Sequence, residues 1–259
     1  MRNFINRIFQ GESNETVMKA GKKTFSINET GLSKTLSING TIQSVLMKNS
    51  DYSHDYWDLF PPLCYAFSKP RIFMIGLGGG TIAKQIDKKF GENAYMDIAE
   101  IDGKIVELAR RFFGLGSNQK IIVGDGANIL HLKKDKYDII ILDAYEGDVI
   151  PKQFLNEKFI KDAQGALKSS GILAINYIST MRINGALEQY MSALSKCFDV
   201  YEARIQKITW NSMIICAKGI SKGEIIERIG SGTGYGNYER QILSAFENME
   251  PFSVESDMH

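Results

Sequence analysis

The chain has 259 residues, 44% of them hydrophobic and 24% charged, with a formal net charge of +1. This balance excludes a disordered or strongly basic protein, so nucleic acid and membrane are not expected partners and a small-molecule site in a cytoplasmic protein is. No apolar run approaches the ~20 residues that span a bilayer, and three scattered cysteines and three histidines suggest neither a disulfide framework nor a metal site.

Residues 1–21 read as a short amphipathic helix followed by a polar loop, with too short an apolar stretch for a secretory signal. Residues 22–50 alternate apolar and polar positions, with turn signals at Glu29–Gly31 and Asn39–Gly40. That pattern predicts short antiparallel strands joined as hairpins. We therefore expect an N-terminal β appendage over residues 1–60 and an α/β domain over 61–259. From Pro70 the pattern becomes strand, glycine or acid, helix, repeated. "RIFMIG", "AYMDIAE", "KIIVG", "YDIIILD" and "GILAINYI" are the strands. "TIAKQIDKKF" and "GKIVELARRFFG" are helices, with others near 127–133, 153–168 and 183–197. Continuous Ile/Val/Leu runs predict strands buried on both faces, hence a parallel sheet under helices. "DVYEARI" and "NSMIICAKG" lie too close together for a helical crossover, so they form an antiparallel hairpin at the sheet edge. The expected fold is a seven-stranded, mostly parallel Rossmann-like sheet, closed by two helices and a loose tail.

Ligands of such sheets bind beyond the carboxyl ends of the strands. The first strand ends in Gly76-Leu77-Gly78-Gly79-Gly80, where bare backbone can lie against a ligand next to a helix N-terminus. The second ends in Glu100, 24 positions after Gly76, followed by Ile101 and Asp102. The third ends in Gly124-Asp125-Gly126 and the fourth in Asp143. An acid at the second strand end can accept hydrogen bonds from both ribose hydroxyls, and one at the third from the adenine amino group. Together they predict an adenosine pocket built from Gly76, Gly78, Gly79, Gly80, Glu100, Ile101, Asp125 and Gly126. Thr81 stands where a dinucleotide fold has its third glycine. A sulfonium or thioether nucleoside therefore fits better than a dinucleotide. Each signal has a plainer rival. The glycines can form only a tight connection, Asp125 can cap the next helix, and Glu100 and Asp102 can be solvated.

At these residues the chain resembles the spermidine synthase (polyamine aminopropyltransferase) family of the S-adenosylmethionine-dependent transferase fold. The resemblance runs over residues 35–218 and rests on Asn39-Gly40, Gln43, Tyr56 and Asp58, then "IGLGGGTIAKQI", "AEIDGKIVELARRFFGL", "GDGANIL" and "YDIIILDAYEGD" in the family's order. It implies decarboxylated S-adenosylmethionine, or S-adenosylmethionine itself, as co-substrate. It further implies ribose binding by Glu100, adenine binding by Asp125, a base for the attacking amine in Asp143, and an amine pocket lined by Tyr56. A homodimer is implied by the resemblance as well. Thr81 departs from the family, which has an aspartate there to grip the diamine. Trp57 stands where the family has histidine or glutamine, and Glu146 stands in for the second carboxylate of its D-S-S-D-P run.

Glu146 and Asp148 can hold the far ammonium of a diamine, with Tyr56 and Trp57 completing the substrate-binding set. The plainer readings are a solvated loop and packing aromatics, and Trp210 fits best as cover for the sheet edge. Three functions follow: aminopropyl transfer to a polyamine, methyl transfer to a small molecule, or nucleoside binding without catalysis. Full S-adenosylmethionine needs a cation for its carboxylate, and Lys84 is the expected candidate.

Overall fold

Alternating side chains build the first layer: four antiparallel strands, β1 (Ser13–Ala20), β2 (Lys23–Thr30), β3 (Ser33–Ile38) and β4 (Thr41–Met47), in spatial order 1-2-3-4. The computed structural model describes residues 13–116, 119–147, 149–178, 186–205, 211–234 and 236–252. The hairpin at Asn39–Gly40 is as expected. Both residues take positive φ (50° and 85°), and the Asn39 side chain accepts a hydrogen bond from the Thr24 amide at 2.8 Å. The short helix and polar loop expected over residues 1–21 are corrected for their second half, since 13–20 is a strand. Nearly every side chain of β1 is exposed. With no face to bury, it carries no apolar alternation, and only its backbone ladder to β2 defines it. Residues 1–12 lie outside the described residues.

The main sheet follows the expected rhythm: β5 (Arg71–Ile75), α1 (Thr81–Phe90), β6 (Tyr95–Glu100), α2 (Gly103–Phe113), β7 (Lys120–Val123), α3 (Gly126–His131), β8 (Tyr137–Leu142), α4 (Glu157–Ala166), β9 (Leu167–Ile178), α5 (Ala186–Ser195), β10 (Asp199–Ala203), β11 (Asn211–Lys218), α6 (Lys222–Gly232), α7 (Asn237–Glu247) and β12 (Glu250–Pro251). The order across the sheet is β12-β10-β11-β9-β8-β5-β6-β7. Strands β5 to β9 are parallel, while β11 runs antiparallel between β9 and β10. Among the described residues the sheet thus has eight strands rather than seven. The extra strand is two residues long and contains Pro251, so it leaves no pattern to read.

Burial on both faces explains the apolar runs. Ile72 and Met74 of β5 join one core cluster, and Phe73 and Ile75 the other. The same division separates Ile139 and Ile141 of β8 from Ile140 and Leu142. The first cluster also takes in Phe25, Ile27, Leu36 and Val45, so the appendage shares its core with the main sheet. The chain passes from β5 outward to β6 and β7, then returns to β8 on the other side of β5. The crevice where the order reverses lies beyond the carboxyl ends of β5 and β8.

Two close approaches shape that crevice. Gly76 has φ +91°, and a Cβ there would lie 2.1 Å from the backbone oxygen of Asp143. A Cβ on Gly78 would lie 2.6 Å from the Gln43 carbonyl oxygen of β4. Gly76→Ala is therefore expected to cost roughly 3 kcal/mol or more, because strain and backbone overlap add. Gly40→Ala, also at positive φ but with nothing within 4 Å of the added Cβ, should cost about 1 kcal/mol. Chemical denaturation of both variants checks this, and equal losses would contradict it.

Candidate active site

A cavity of about 360 Å³ opens at the carboxyl ends of β5 to β8, within the size range of small-molecule sites. A larger groove of about 750 Å³ lies at the amino ends, around Arg71, Asp97 and Lys136, and holds none of the strand-end acids. The cavity brings together Gly76, Gly78, Glu100, Ile101, Asp125 and Gly126, and beside them Asp143 and Glu146. Strand-end acids separated by up to 43 positions thus face one space, because parallel strands deliver every carboxyl end to the same edge.

Glu100 is only 5% exposed. Its two carboxylate oxygens accept backbone N–H groups of Leu77 and Asp102, each at 2.9 Å, which fixes the side chain and leaves further lone pairs for a ligand. Burial raises its pKa, and the two amides work against that rise. Ile101 is 63% exposed, an apolar surface at the cavity rim. Asp102 caps α2 through the Lys104 amide and pairs with Lys23 of β2 at 2.7 Å. Asp125 caps α3, accepting from the amides of Ala127 and Asn128 at 2.8 and 3.3 Å. Capping uses one oxygen, Oδ1, while Oδ2 accepts from Gln153 Nε2 at 3.5 Å. Gly126 is required by packing, since a Cβ there would lie 2.6 Å from Ile75.

Gly79 and Gly80 are not among the cavity-lining residues. The Gly79 amide donates to Ser44 Oγ at 2.8 Å, and a Cβ on Gly79 would meet the Ser44 side chain at 2.8 Å. A Cβ on Gly80 would meet Leu115 at 3.1 Å. These two glycines let the appendage and α2's C-terminal turn pack close, a correction to their placement in the pocket. Thr81 completes the contact: buried, it bonds Ser44 Oγ at 2.9 Å and exchanges hydrogen bonds with the Val45 backbone. It is a weld between α1 and β4. Lys84 is likewise committed elsewhere, donating to the Phe113 carbonyl at the end of α2 at 2.5 Å. Burial and the nearby Lys34 and Lys88 lower its pKa.

Asp143 sits at the end of β8, partly buried. Its Oδ1 accepts from Asn176 Nδ2 at 2.7 Å and from the Tyr56 hydroxyl at 3.3 Å, and Trp57 adds a further hydrogen bond. Burial pushes its carboxyl up to about 6 despite these donors. Tyr56 stacks beside the buried Trp57, ring centroids 4.5 Å apart. Burial and the Asp143 charge hold the Tyr56 hydroxyl protonated, well above its ordinary pKa. The 3₁₀ turn that carries both aromatics, Tyr56–Leu59, is anchored by Asp58. That 1%-exposed carboxylate accepts from the amides of Ser53 and His54, Ser53 Oγ, Gln85 Nε2 and the Tyr238 hydroxyl. Glu146 is exposed at the cavity mouth, its backbone bridged to Val149. Asp148 and Trp210 lie outside the described residues.

Sequence reasoning missed Asn176, Lys23 and Tyr145. Asn176 does leave a signal, as the one amide in the apolar run of β9. Lys23 and Tyr145 leave none, because their roles depend on distant partners: Asp102 for Lys23, and for Tyr145 the Asn176 carbonyl at 2.7 Å.

The family described as "Spermine/spermidine synthase domain" matches residues 60–215. A polyamine aminopropyltransferase of Vibrio vulnificus is 36% identical over 118 residues, 44% of this chain and 39% of that protein. One from Neisseria meningitidis is 28% identical over 141 residues, covering 53% and 51%. The chain thus spans about half the length, or less, of these relatives. The crystal structure of a probable spermidine synthase from Corynebacterium glutamicum superposes with a TM-score of 0.70 at 16% identity, covering 89% of this chain and 94% of the other. That likeness is one of fold.

A raised carboxyl pKa means that the folded state binds the proton more tightly than the unfolded state. Stability therefore falls as pH climbs from the ordinary carboxylate value of 3.8 through about 6, and the loss persists above that. Asp143→Asn removes this cost. It should stabilise the protein by on the order of 1–3 kcal/mol at pH 8 and by far less at pH 4. Paired urea titrations at the two pH values test this; an equal effect at both would contradict it.

Proposed function

The chain belongs to the spermine/spermidine synthase domain family, and on that premise we propose that it is a transferase moving an aminopropyl group from decarboxylated S-adenosylmethionine to a polyamine. The observation that carries this reading is the charge of the cavity. Glu100, Asp125, Asp143 and Glu146 line it, and the lining cation among the described residues is Lys23, already paired with Asp102. A sulfonium donor without a carboxylate and a cationic amine both suit such a site. Full S-adenosylmethionine brings a carboxylate that meets no free cation there, and Lys84 is turned to the end of α2.

The nucleoside end fits the residues present. Glu100 is held at the cavity floor with acceptor capacity left, and Ile101 offers an apolar face beside Asp125. Transfer is a displacement at carbon: the amine lone pair attacks the donor's methylene, the carbon–sulfur bond breaks, and its electron pair leaves with the thioether product. The chain must align the two reactants and take up the proton that the amine loses. Asp143 is the base in this reading. A carboxyl raised to about 6 is ionised at neutral pH, yet more basic than an ordinary aspartate. Tyr56, Trp57 and Asn176 orient it, and Glu146 stands at the mouth for a second ammonium. A homodimer belongs to the same reading and is checked by light scattering.

Calorimetry with decarboxylated S-adenosylmethionine, S-adenosylmethionine and methylthioadenosine should show the decarboxylated form and the thioether binding more tightly than the full amino acid. Asp143→Asn should keep nucleoside binding within about twofold and lose at least ~10²-fold in kcat, the usual weight of a general base. Preference for S-adenosylmethionine would favour methyl transfer instead. Retained turnover in the variant would remove Asp143 as the base.

A further inference from the structure

We propose that Asn176 is a positioning residue for Asp143, and that Asn211 sets its polarity. The inference rests on the reading of Asp143 as base. Asn176 is 1% exposed in the buried, otherwise apolar second half of β9, a costly place for an amide unless both of its ends are used. Both ends are used. Its Nδ2 donates to Asp143 Oδ1 at 2.7 Å, and its Oδ1 accepts from Asn211 Nδ2 at 2.9 Å.

The register explains the pairing. Asn211 of β11 stands opposite Ile178 of β9, and Asn176 lies two residues earlier on the same face. The two amides are diagonal neighbours across the antiparallel ladder, within reach of one another. Asn211 presents an N–H to the Asn176 carbonyl, so the Asn176 NH₂ must point at the carboxylate. The inverted amide would set two oxygens against each other at 2.7 Å, tolerable only with a proton between them. The relay therefore selects the ionised carboxylate and fixes its rotamer before a ligand arrives. The Tyr145 hydroxyl reinforces it by bonding the Asn176 backbone carbonyl.

Tyr56 and Trp57 also donate to Asp143 and favour its anion, but from outside the β9–β11 ladder. Tyr56 and Trp57 come from the 3₁₀ turn and Tyr145 from the loop after β8, and all are uncharged at neutral pH. Asp55 carries a negative charge that acts on the Tyr56 hydroxyl, helping to keep it protonated. The burial that raises the Asp143 pKa is thus opposed mainly by neutral donors, and Asn176 makes the shorter of the two contacts to Oδ1.

The test reads the carboxyl directly. Protein labelled with ¹³C at aspartate carboxyls is titrated by NMR, the Asp143 signal being the one lost in Asp143→Asn. In Asn176→Ala the Asp143 midpoint should rise by about one unit, a tenfold change in proton affinity. In Asn211→Ala, which touches nothing of Asp143, it should rise by less but in the same direction. Methylthioadenosine affinity should stay within about twofold in both, while kcat in Asn176→Ala falls. Should Asn176→Ala fail to fold, Asn211→Ala carries the measurement alone. An unmoved midpoint in the folded variants overturns the proposal, even if kcat drops. A wild-type protein that transfers no aminopropyl group, yet whose Asp143 midpoint moves as described, would remove the functional reading and leave the relay standing.

Discussion

Desolvation of one carboxylate is the constraint around which this site is organised. Asp143 lies where β8 ends against the turn after β5, and the backbone there leaves no room for a side chain at Gly76. Burial favours the protonated acid, while the amide of Asn176, the Tyr56 hydroxyl and Trp57 favour the anion. Neither side wins outright, and the carboxyl rests near neutrality. A fully solvated aspartate would be a poorer proton acceptor, and a fully buried one without donors would be neutral at working pH. The supporting parts follow from this balance. Asp58 spends its carboxylate on five donors to hold the turn that carries Tyr56 and Trp57, and the β9–β11 ladder sets the Asn176 amide.

The glycine-rich turn serves packing as much as binding. Gly76 and Gly78 line the cavity, whereas Gly79 and Gly80 allow β4 and the end of α2 to press against the loop. Thr81 then joins the same contact through Ser44 and the Val45 backbone. An aspartate here would carry a charge into a buried contact that supplies only a hydroxyl and one peptide unit, at a cost of several kcal/mol. The substitution and the packing of the appendage are therefore one feature.

How much of this was legible in the sequence varied with the range of the interaction. Strands β5 and β8 and the second half of β9 announced themselves because both faces are buried, so composition alone marks them. The strand-end acids were legible because a parallel sheet converts sequence order into spatial order. Strand β1 was not, since an exposed ribbon needs no apolar alternation, and β12 was too short to show one. The work of Gly79 could not be read either: it depends on Ser44, 35 positions earlier, and on the register of β4. Asn176 was visible as an oddity in β9, but its meaning lay 33 positions back at Asp143 and 35 ahead at Asn211.

The placement of the cavity's carboxylates bears on what the proposed acceptor would feel. Glu146, on an exposed turn, is the lining carboxylate at the mouth of the cavity. Two unit charges 4 Å apart attract by about 1 kcal/mol in bulk water but about 4 kcal/mol at an effective dielectric of 20. A second ammonium held at the rim thus gains little, whereas the reacting amine next to Asp143 keeps the stronger interaction. Discrimination among acceptors would then rest on the shape of the cavity around Tyr145, Ala144 and Phe154 more than on charge at its far end. Under the aminopropyl reading, the chain would bind the attacking nitrogen firmly and the remainder of the polyamine loosely, because only the first lies where water is excluded.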